Sequence, residues 1–269
     1  MARIVIGIGT PHNPGHPQQA LEEGPGSALA ARYRRVAEYL EAASPDVVVF
    51  FDSDHFVNFF FDNMPVFCIG MVDEAEGPAE TRVRMPHYTV RVHEAFARGL
   101  FDYALKREFD VASKEEMVLD HSVLVPLHFL TPAMHIPIVP VYIRGLAPPL
   151  PLAHRCLELG RMVGEFIATW PGDERVAVMA SGSISNEVGG PRMGSFDDEW
   201  TSTVVELLRA GKIEELIRLA TTERMLAAGN VSGELLNWIA MVGALGDARP
   251  THLEVTPGHG YAVWGLEGR

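Results

Sequence analysis

Three side chains in distant parts of the chain have the chemistry to bind one metal ion together. His12 and His55 each follow a strand-like segment, and Glu234 lies near the start of the apolar segment SGELLNWIAMVGAL. Two histidines and one carboxylate form the ligand set of open-faced non-haem Fe(II) sites. These three residues are therefore candidate metal ligands.

Each of the three also has an ordinary structural interpretation. A single loop histidine is more often solvated than bound to a metal, and a glutamate in the first turn of a helix stabilises the positive helix end. Asp52 and Asp54, which lie close to His55, are common turn residues. The combination of two histidines and a carboxylate, rather than any one residue, favours a metal site.

Other reactive residues also follow predicted strands. His121 lies in LDHSVLVPLHF, which begins after the strand candidate Phe109–Ala112, and the turn SGSISN (181–186) follows the strand-like segment Arg175–Ala180. In open α/β sheets, ligand sites form beyond the carboxyl ends of the strands. We therefore expect these segments to converge in space.

The sequence lacks the motifs of several competing chemistries. Two histidines and a carboxylate also bind Zn(II) in hydrolases, but no HExxH helix is present. The stretch Gly182–Ser185 lacks the closing glycine of a GxSxG nucleophile turn. His12 stands where a dinucleotide-binding fingerprint would have its third glycine. A zinc hydrolase stays open as a further candidate, and it would act without dioxygen.

Strand-like and helical segments alternate along the chain. The predicted strands are Arg3–Gly9, 46–51, Pro65–Met71, Phe109–Ala112, Ile138–Ile143, Arg175–Ala180 and two short strands around PGHG within His252–Leu266. The predicted helices are 28–44, 88–107, 152–169 and 196–243, the last with breaks at Gly211 and at Gly229-Asn230. This alternation predicts an α/β fold in one domain, residues 1–269: a sandwich around a central, mostly parallel or mixed β-sheet flanked by helices.

Composition excludes several classes of partner. The formal net charge is −13, and no cluster of lysine or arginine suggests binding to nucleic acid or to an anionic membrane surface. No apolar run is long enough to cross a membrane, and the first residues do not form a signal peptide. Cys68 and Cys156 lack CxxC spacing, so we expect two buried thiols and a cytoplasmic protein.

Five blocks of the sequence together resemble a known family. They are MARIVIGIGTPHNPGHP, DVVVFFDSDHFVNFFFDNMPVFCIG, DHSVLVPLHF, ASGSISNEVGGPRMG and GELLNWIAMVGAL, in this order from the first residue to about residue 245. The chain is similar to the class III extradiol dioxygenases, in particular to the catalytic β subunit of protocatechuate 4,5-dioxygenase. This resemblance implies a non-haem Fe(II) enzyme that uses O₂ to open the ring of a vicinal aromatic diol.

The resemblance also implies roles for individual residues. His12, His55 and Glu234 would bind the Fe(II), and His121 would lie beside the dioxygen and substrate site. Asn186 stands where the family has its acid–base histidine, which is the clear departure from the pattern.

Asparagine can donate and accept hydrogen bonds but cannot exchange a proton usefully. Three explanations of Asn186 stay open. In the first, another histidine, namely His121, His16 or His259, transfers the proton. In the second, the substrate ionises readily, as a hydroxypyridone or dihydroxypyridine would. In the third, the protein has lost ring cleavage. Retention of all three metal positions favours the first two.

The main prediction is therefore an Fe(II)-dependent extradiol dioxygenase acting on a catechol-like or N-heteroaromatic diol. The alternative is a catalytically silent metal-binding or partner subunit of the same superfamily. Arg192 could pair with a substrate carboxylate or stabilise its own glycine-rich turn. We expect a homo-oligomer, and the resemblance to a two-subunit enzyme allows a small partner subunit.

Overall fold

The computed structural model describes residues 1–266. Its strands are β1 (Arg3–Thr10), β2 (Val47–Asp52), β3 (Phe67–Gly70), β4 (Glu74–Gly77), β5 (Tyr88–Arg91), β6 (Ala112–Lys114), β7 (Ile138–Ile143), β8 (Arg175–Ser181), β9 (His252–Thr256) and β10 (His259–Gly265). Its α-helices are α1 (His16–Glu23), α2 (Ala28–Ala43), α3 (Glu94–Lys106), α4 (His121–Leu130), α5 (Ala153–Thr169), α6 (Asp198–Ala210), α7 (Ile213–Leu219), α8 (Thr222–Ala228) and α9 (Leu235–Leu245). A 3₁₀ turn, Ser232–Glu234, immediately precedes α9.

Eight of the strands form one mixed sheet in the order β6-β3-β7-β2-β8-β1-β10-β9. The four central strands β7, β2, β8 and β1 are mutually parallel. Beyond β1, strand β10 is antiparallel to β1, and β9 is antiparallel to β10. At the other edge β3 is antiparallel to β7 and parallel to β6. The predicted α/β sandwich around a mixed sheet is confirmed.

Both faces of the central sheet are covered by helices. Along β2, Val47, Val49 and Phe51 face the layer that contains α5 and α9, while Val48 and Phe50 face the layer that contains α2 and α4. All five side chains are fully buried. A strand buried on both faces has a continuous apolar sequence, which is why VVVFF predicted β2 correctly.

Helices α5 and α9 pack unusually closely because glycines lie at their contact. A Cβ added at Gly160 would overlap the carbonyl oxygen of Ala240, and one added at Gly243 would overlap that of Leu157. The contact fixes α9 against the sheet, so that the turn leading into α9 is also held in place.

Three local predictions need correction. Residues 88–91 form strand β5 rather than the start of a helix, because they pair with β4 in a separate two-stranded sheet; α3 begins only at Glu94. The loop after β1 contains a helix from His16, with Pro17 in its first turn. The strand predicted at Phe109–Ala112 lies later, at Ala112–Lys114, where it pairs with β3. The predicted breaks at Gly211 and at Gly229-Asn230 are confirmed.

Two further expectations can be compared with the structure. Across residues 1–266, no helix combines the length and the apolar character needed to span a bilayer. Cys68 and Cys156 are free and buried, as predicted, and burial raises the pKa of both thiols.

Candidate metal centre

His12 is positioned by two parallel neighbouring strands. Strand β1 ends at Thr10, which lies opposite Ser181 at the end of β8. His12 is 5% exposed, and its Nδ1 lies 3.0 Å from the Ser181 hydroxyl oxygen. When Nδ1 donates to this hydroxyl, Nε2 is left as the ring nitrogen able to bind a metal.

His55 is positioned by Asp120, the residue that caps α4. Its backbone N–H donates to Asp120 Oδ2 over 2.7 Å, and its ring Nδ1 lies 3.3 Å from the same oxygen. Asp120 also accepts from the Ser122 backbone N–H, which begins the helix. One buried carboxylate therefore orients the His55 ring and starts α4, and it leaves Nε2 of His55 facing the cavity.

Glu234 lies in the 3₁₀ turn immediately before α9, rather than in the first turn of the α-helix as the sequence suggested. Its Oε2 accepts from the Ser183 backbone N–H over 2.7 Å. The neighbouring Gly182 has φ +147°, and a Cβ there would lie 2.6 Å from the Cβ of Glu234. The turn after β8 thus needs glycine at this position to bring its backbone against the glutamate.

The three predicted metal ligands converge on one point. Glu234 Oε1 lies 3.0 Å from His12 Nε2 and 3.3 Å from His55 Nε2. Two donors at right angles, each about 2.1 Å from one ion, are about 3.0 Å apart. The spacing of these donor atoms therefore fits a shared metal ion.

The electrostatics of the three residues also suit a cation. Burial raises the pKa of Glu234, but the charge and hydrogen bond of His12, with those of His55, outweigh burial and hold this pKa well below its usual range. Burial lowers the pKa of His12, although Glu234 opposes this shift. Burial also opposes a charge on His55, yet Asp120 and Glu234 overcome it and raise the His55 pKa. The His55 ring lies between these two carboxylates, and the negative charge of Glu234 beside its Nε2 also favours a metal cation there.

His121 lies against the same point. Its ring centroid is 4.1 Å from that of His55 and 5.3 Å from that of His12. One donor nitrogen from each of these three histidines lies within 4.8 Å of the others, so they too form a group able to hold a metal ion. The Nδ1 of His121 is 2.5 Å from Glu80 Oε1, which leaves its Nε2 for the cavity.

A cavity of about 320 Å³ opens onto these residues. Its wall includes His12, Asn13, Pro14, His55, His121, Ser183, Asn186, Glu187, Val188, Met193, Gly194, Phe196, Val231, Glu234 and His259. Its volume is at the lower end of the range for small-molecule sites. Asn186 lines the cavity as predicted; its backbone N–H donates to the Ser232 hydroxyl, and within residues 1–266 its side-chain amide has no hydrogen-bond partner.

The structure adds residues that the sequence did not identify. Glu80 lies 41 residues before His121 in a segment without periodic structure, and no local signal indicates that the two meet. Asp120 precedes His121 in the sequence, and this proximity was the only signal available for it.

His259 and His16, both considered from the sequence, differ in position. His259 lines the cavity from β10; its Nδ1–H donates to the Pro257 carbonyl oxygen over 2.8 Å, and burial lowers its pKa. His16 is outside the cavity wall and contacts the Tyr33 hydroxyl over 3.0 Å. Of the two, only His259 borders the space in which a substrate would bind.

Arg192 stabilises its own turn in the structure. Its guanidinium donates to Glu187 Oε2 over 3.0 Å, and it is not part of the cavity wall. Of the two interpretations of this arginine, the contact within the glycine-rich turn is the one observed.

Comparison with known proteins assigns the chain to a family. Residues 8–263 match the family described as the catalytic LigB subunit of aromatic ring-opening dioxygenase. The chain belongs to this family of ring-opening dioxygenases, which confirms the resemblance to the class III extradiol dioxygenases.

Several similar proteins carry the name 2,3-dihydroxyphenylpropionate/2,3-dihydroxicinnamic acid 1,2-dioxygenase. One from Photorhabdus laumondii is 33% identical over 210 residues, which cover 76% of this chain and 62% of the relative. One from Klebsiella pneumoniae is 27% identical over 274 residues, covering 85% of this chain and 84% of the relative. The alignment thus spans less than two thirds of the first relative and most of the second.

A solved structure shares the fold. The crystal structure of an uncharacterised protein from Escherichia coli K12 aligns with a TM-score of 0.57 at 16% identity, covering 96% of this chain and 98% of that one. At this identity the likeness shows the architecture alone.

Proposed function

We propose that this protein binds one Fe(II) through His12, His55 and Glu234 and cleaves the ring of an aromatic or N-heteroaromatic vicinal diol with O₂. The observation that carries the proposal is the convergence of the two Nε2 atoms on Glu234 Oε1 at 3.0 and 3.3 Å. Family membership supplies the reaction class.

The donor set fits Fe(II) in particular. Two imidazoles, which bind a metal in their unprotonated form, and one carboxylate on one side of an ion leave positions open on the other, as in non-haem Fe(II) oxygenases. When bound, the iron would supply the open positions at which a diol and O₂ meet and exchange electrons. The cavity lies against these residues, so a substrate has room to enter on that side.

A second ligand set, His12, His55 and His121, is also close enough to bind a metal. We favour Glu234 over His121 for two reasons. Glu234 is 1% exposed, and its oxygen is within hydrogen-bond distance of both other ligands. It also brings a negative charge that offsets part of the charge of Fe(II), whereas a third imidazole brings none.

His121 and Asn186 are proposed as the residues that act on the substrate. Both line the cavity, and Glu80 holds the His121 ring through Nδ1, so that Nε2 can accept a proton from a diol hydroxyl. Asn186 can donate a hydrogen bond to a substrate oxygen but cannot take up its proton. His259, whose Nε2 is the free ring nitrogen, is the other titratable group placed to carry a proton.

The alternative remains a silent member of the superfamily that binds a metal or a partner subunit without turnover. The departure at Asn186 favours this alternative, because general acid–base assistance is worth about 10²–10⁴-fold in rate. Association into a homo-oligomer, with or without a small partner subunit, stays a prediction from the sequence.

The test is oxygen uptake by the iron-loaded protein. The protein is purified anaerobically, loaded with Fe(II) and mixed with O₂ and a panel of catechols, hydroxypyridones and dihydroxypyridines. The proposal predicts one O₂ consumed per diol and a new near-visible absorbance from the opened ring. Iron-loaded protein that consumes no oxygen with any of these diols would favour the silent alternative.

The zinc-hydrolase interpretation gives different results in the same preparation. It predicts zinc rather than iron in the purified protein, and hydrolysis of esters or amides without oxygen. Either observation would count against the dioxygenase proposal.

A further inference from the structure

One wall of the cavity is apolar and partly open to solvent. It is formed by Val188, Met193, Phe196 and Val231. Met193 is 72% exposed, Val188 49% and Phe196 37%. Exposed apolar side chains gathered at a concave site indicate a bound apolar group that covers them.

The charges on the cavity wall are negative. Glu187 and Glu234 both line it, and of residues 1–266 no lysine or arginine does. The carboxylate of Glu187 is only 13% exposed and accepts from the Asn230 backbone N–H over 3.0 Å, which fixes it in place.

The nearby guanidinium of Arg192 does not make the cavity wall positively charged. It is 63% exposed and already donates to Glu187 at 3.0 Å. Moving it onto a substrate anion would break that ion pair and leave Glu187, largely buried, without its cation.

From this wall we infer that the enzyme selects diols whose further ring substituent is uncharged and apolar, and that it discriminates against a carboxylate substituent. The inference rests on the proposed ring-cleaving function and narrows its substrate class. A carboxylate placed against this wall would lose water, meet apolar side chains and lie near Glu187, and within residues 1–266 no lysine or arginine lines the wall to offset the cost.

This specificity differs from the one that the relatives' names state. Dihydroxyphenylpropionate carries a side chain that ends in a carboxylate. In this chain the residues that line the cavity beside the apolar wall include the acidic Glu187, and within residues 1–266 they include no lysine or arginine.

A matched pair of diols tests the inference. The acid 3-(2,3-dihydroxyphenyl)propionate and its primary amide have nearly the same size and differ in charge. With the iron-loaded protein at pH 7, we expect kcat/KM for the amide to exceed that for the acid by about tenfold or more. Anaerobic calorimetric titration of the same two diols should show a similar ratio of Kd values, and it measures binding without turnover.

A variant with a new cation should reverse the preference. Met193→Lys places an ammonium group on the cavity wall at an exposed position, and we expect it to raise the acid-to-amide ratio of kcat/KM roughly tenfold. Met193→Leu is the matched control, because it keeps the apolar wall and should retain the preference for the amide.

The outcomes separate the inference from the proposed function. If both diols are cleaved and the acid is used as well as or better than the amide, the inference fails while the ring-cleaving function stands. If neither is cleaved but the amide binds more tightly, the specificity stands and the proposed function fails. If neither diol is cleaved or bound, both fail.

Discussion

Each proposed metal ligand is held by a partner on its far side. Ser181 contacts the His12 ring, Asp120 the His55 ring, and the Ser183 backbone N–H the Glu234 carboxylate. Such partners fix which nitrogen or oxygen faces the metal, and their loss typically lowers metal affinity about 10–100-fold. The site is therefore determined by six groups rather than by three.

A substitution of Asp120 tests most clearly whether these partner groups increase the affinity for the metal. Asp120→Asn keeps the shape of the side chain but removes the charge beside His55, so we expect the Kd for Fe(II) to rise by about 10–100-fold. The measurement is an anaerobic Fe(II) titration. Asp110→Asn, at an exposed position, is the control and should leave the Kd unchanged. An unchanged Kd in Asp120→Asn would show that Asp120 only caps α4.

A substitution of His121 distinguishes the ligand set His12, His55 and Glu234 from the set His12, His55 and His121. If it acts on the substrate, His121→Ala should still bind one Fe(II) but lose about 10²–10⁴-fold in kcat. Iron content and oxygen uptake, measured on the same preparation, distinguish the roles. Loss of the iron itself would instead make His121 a ligand.

Asn186 calls for two substitutions. Asn186→Ala removes the amide from the cavity wall, and we expect about a tenfold loss of turnover from the missing hydrogen bond. Asn186→His should favour catechols over hydroxypyridones, because it restores a titratable group for the less acidic diols. Equal turnover by Asn186→Ala and the parent protein on every diol would exclude a role for the amide.

At the scale of elements, segments with a strong periodic pattern were predictable and the site's supporting contacts were not. The apolar run VVVFF and the alternation of strands with helices fixed the central sheet and placed His12 and His55 at strand ends. Strand β4 has the sequence EAEG, whose residues favour strands weakly, and it is paired with β5 and bridged to Val118 by tertiary contacts. Glu80 lies in the loop that connects β4 to β5, so its contact with His121 depends on tertiary structure.

The close packing of α5 against α9 can be tested by adding a methyl group at their contact. Gly160→Ala places a methyl group against the backbone of α9, which cannot move away as a flexible side chain could. We expect the free energy of unfolding to fall by about 1–3 kcal/mol in chemical denaturation. Gly26→Ala, where an added Cβ meets nothing within 4 Å, should change it by less than about 0.5 kcal/mol. Equal stability of the two variants would mean that α9 is not closely packed there.

At the scale of the whole molecule, a partly buried histidine couples stability to acid. Burial, followed by the charges of His259, His12 and Arg32, lowers the pKa of His16 to about 3. An unfolded chain has a histidine pKa of about 6.5 and therefore binds a proton that the folded protein does not take up between these values. Stability from this residue is thus lost as the pH falls below about 6.5.

Replacing His16 should make the protein less sensitive to acid. In His16→Asn, we expect the free energy of unfolding of the metal-free protein to fall less steeply between pH 6.5 and pH 4 than in the parent. Denaturant titrations at several pH values provide the slope, and exposed His154→Asn serves as the control. A slope as steep as that of the parent would show that His16 is solvated in the folded state.

The central claim is that two imidazoles and one carboxylate bind a single iron. Anomalous diffraction at the iron edge, from crystals grown anaerobically with Fe(II), tests it most directly. We predict one peak per chain, about 2.1 Å from His12 Nε2, His55 Nε2 and a carboxylate oxygen of Glu234. A peak bound by His12, His55 and His121 with Glu234 turned away, or a peak elsewhere in the molecule, would contradict it.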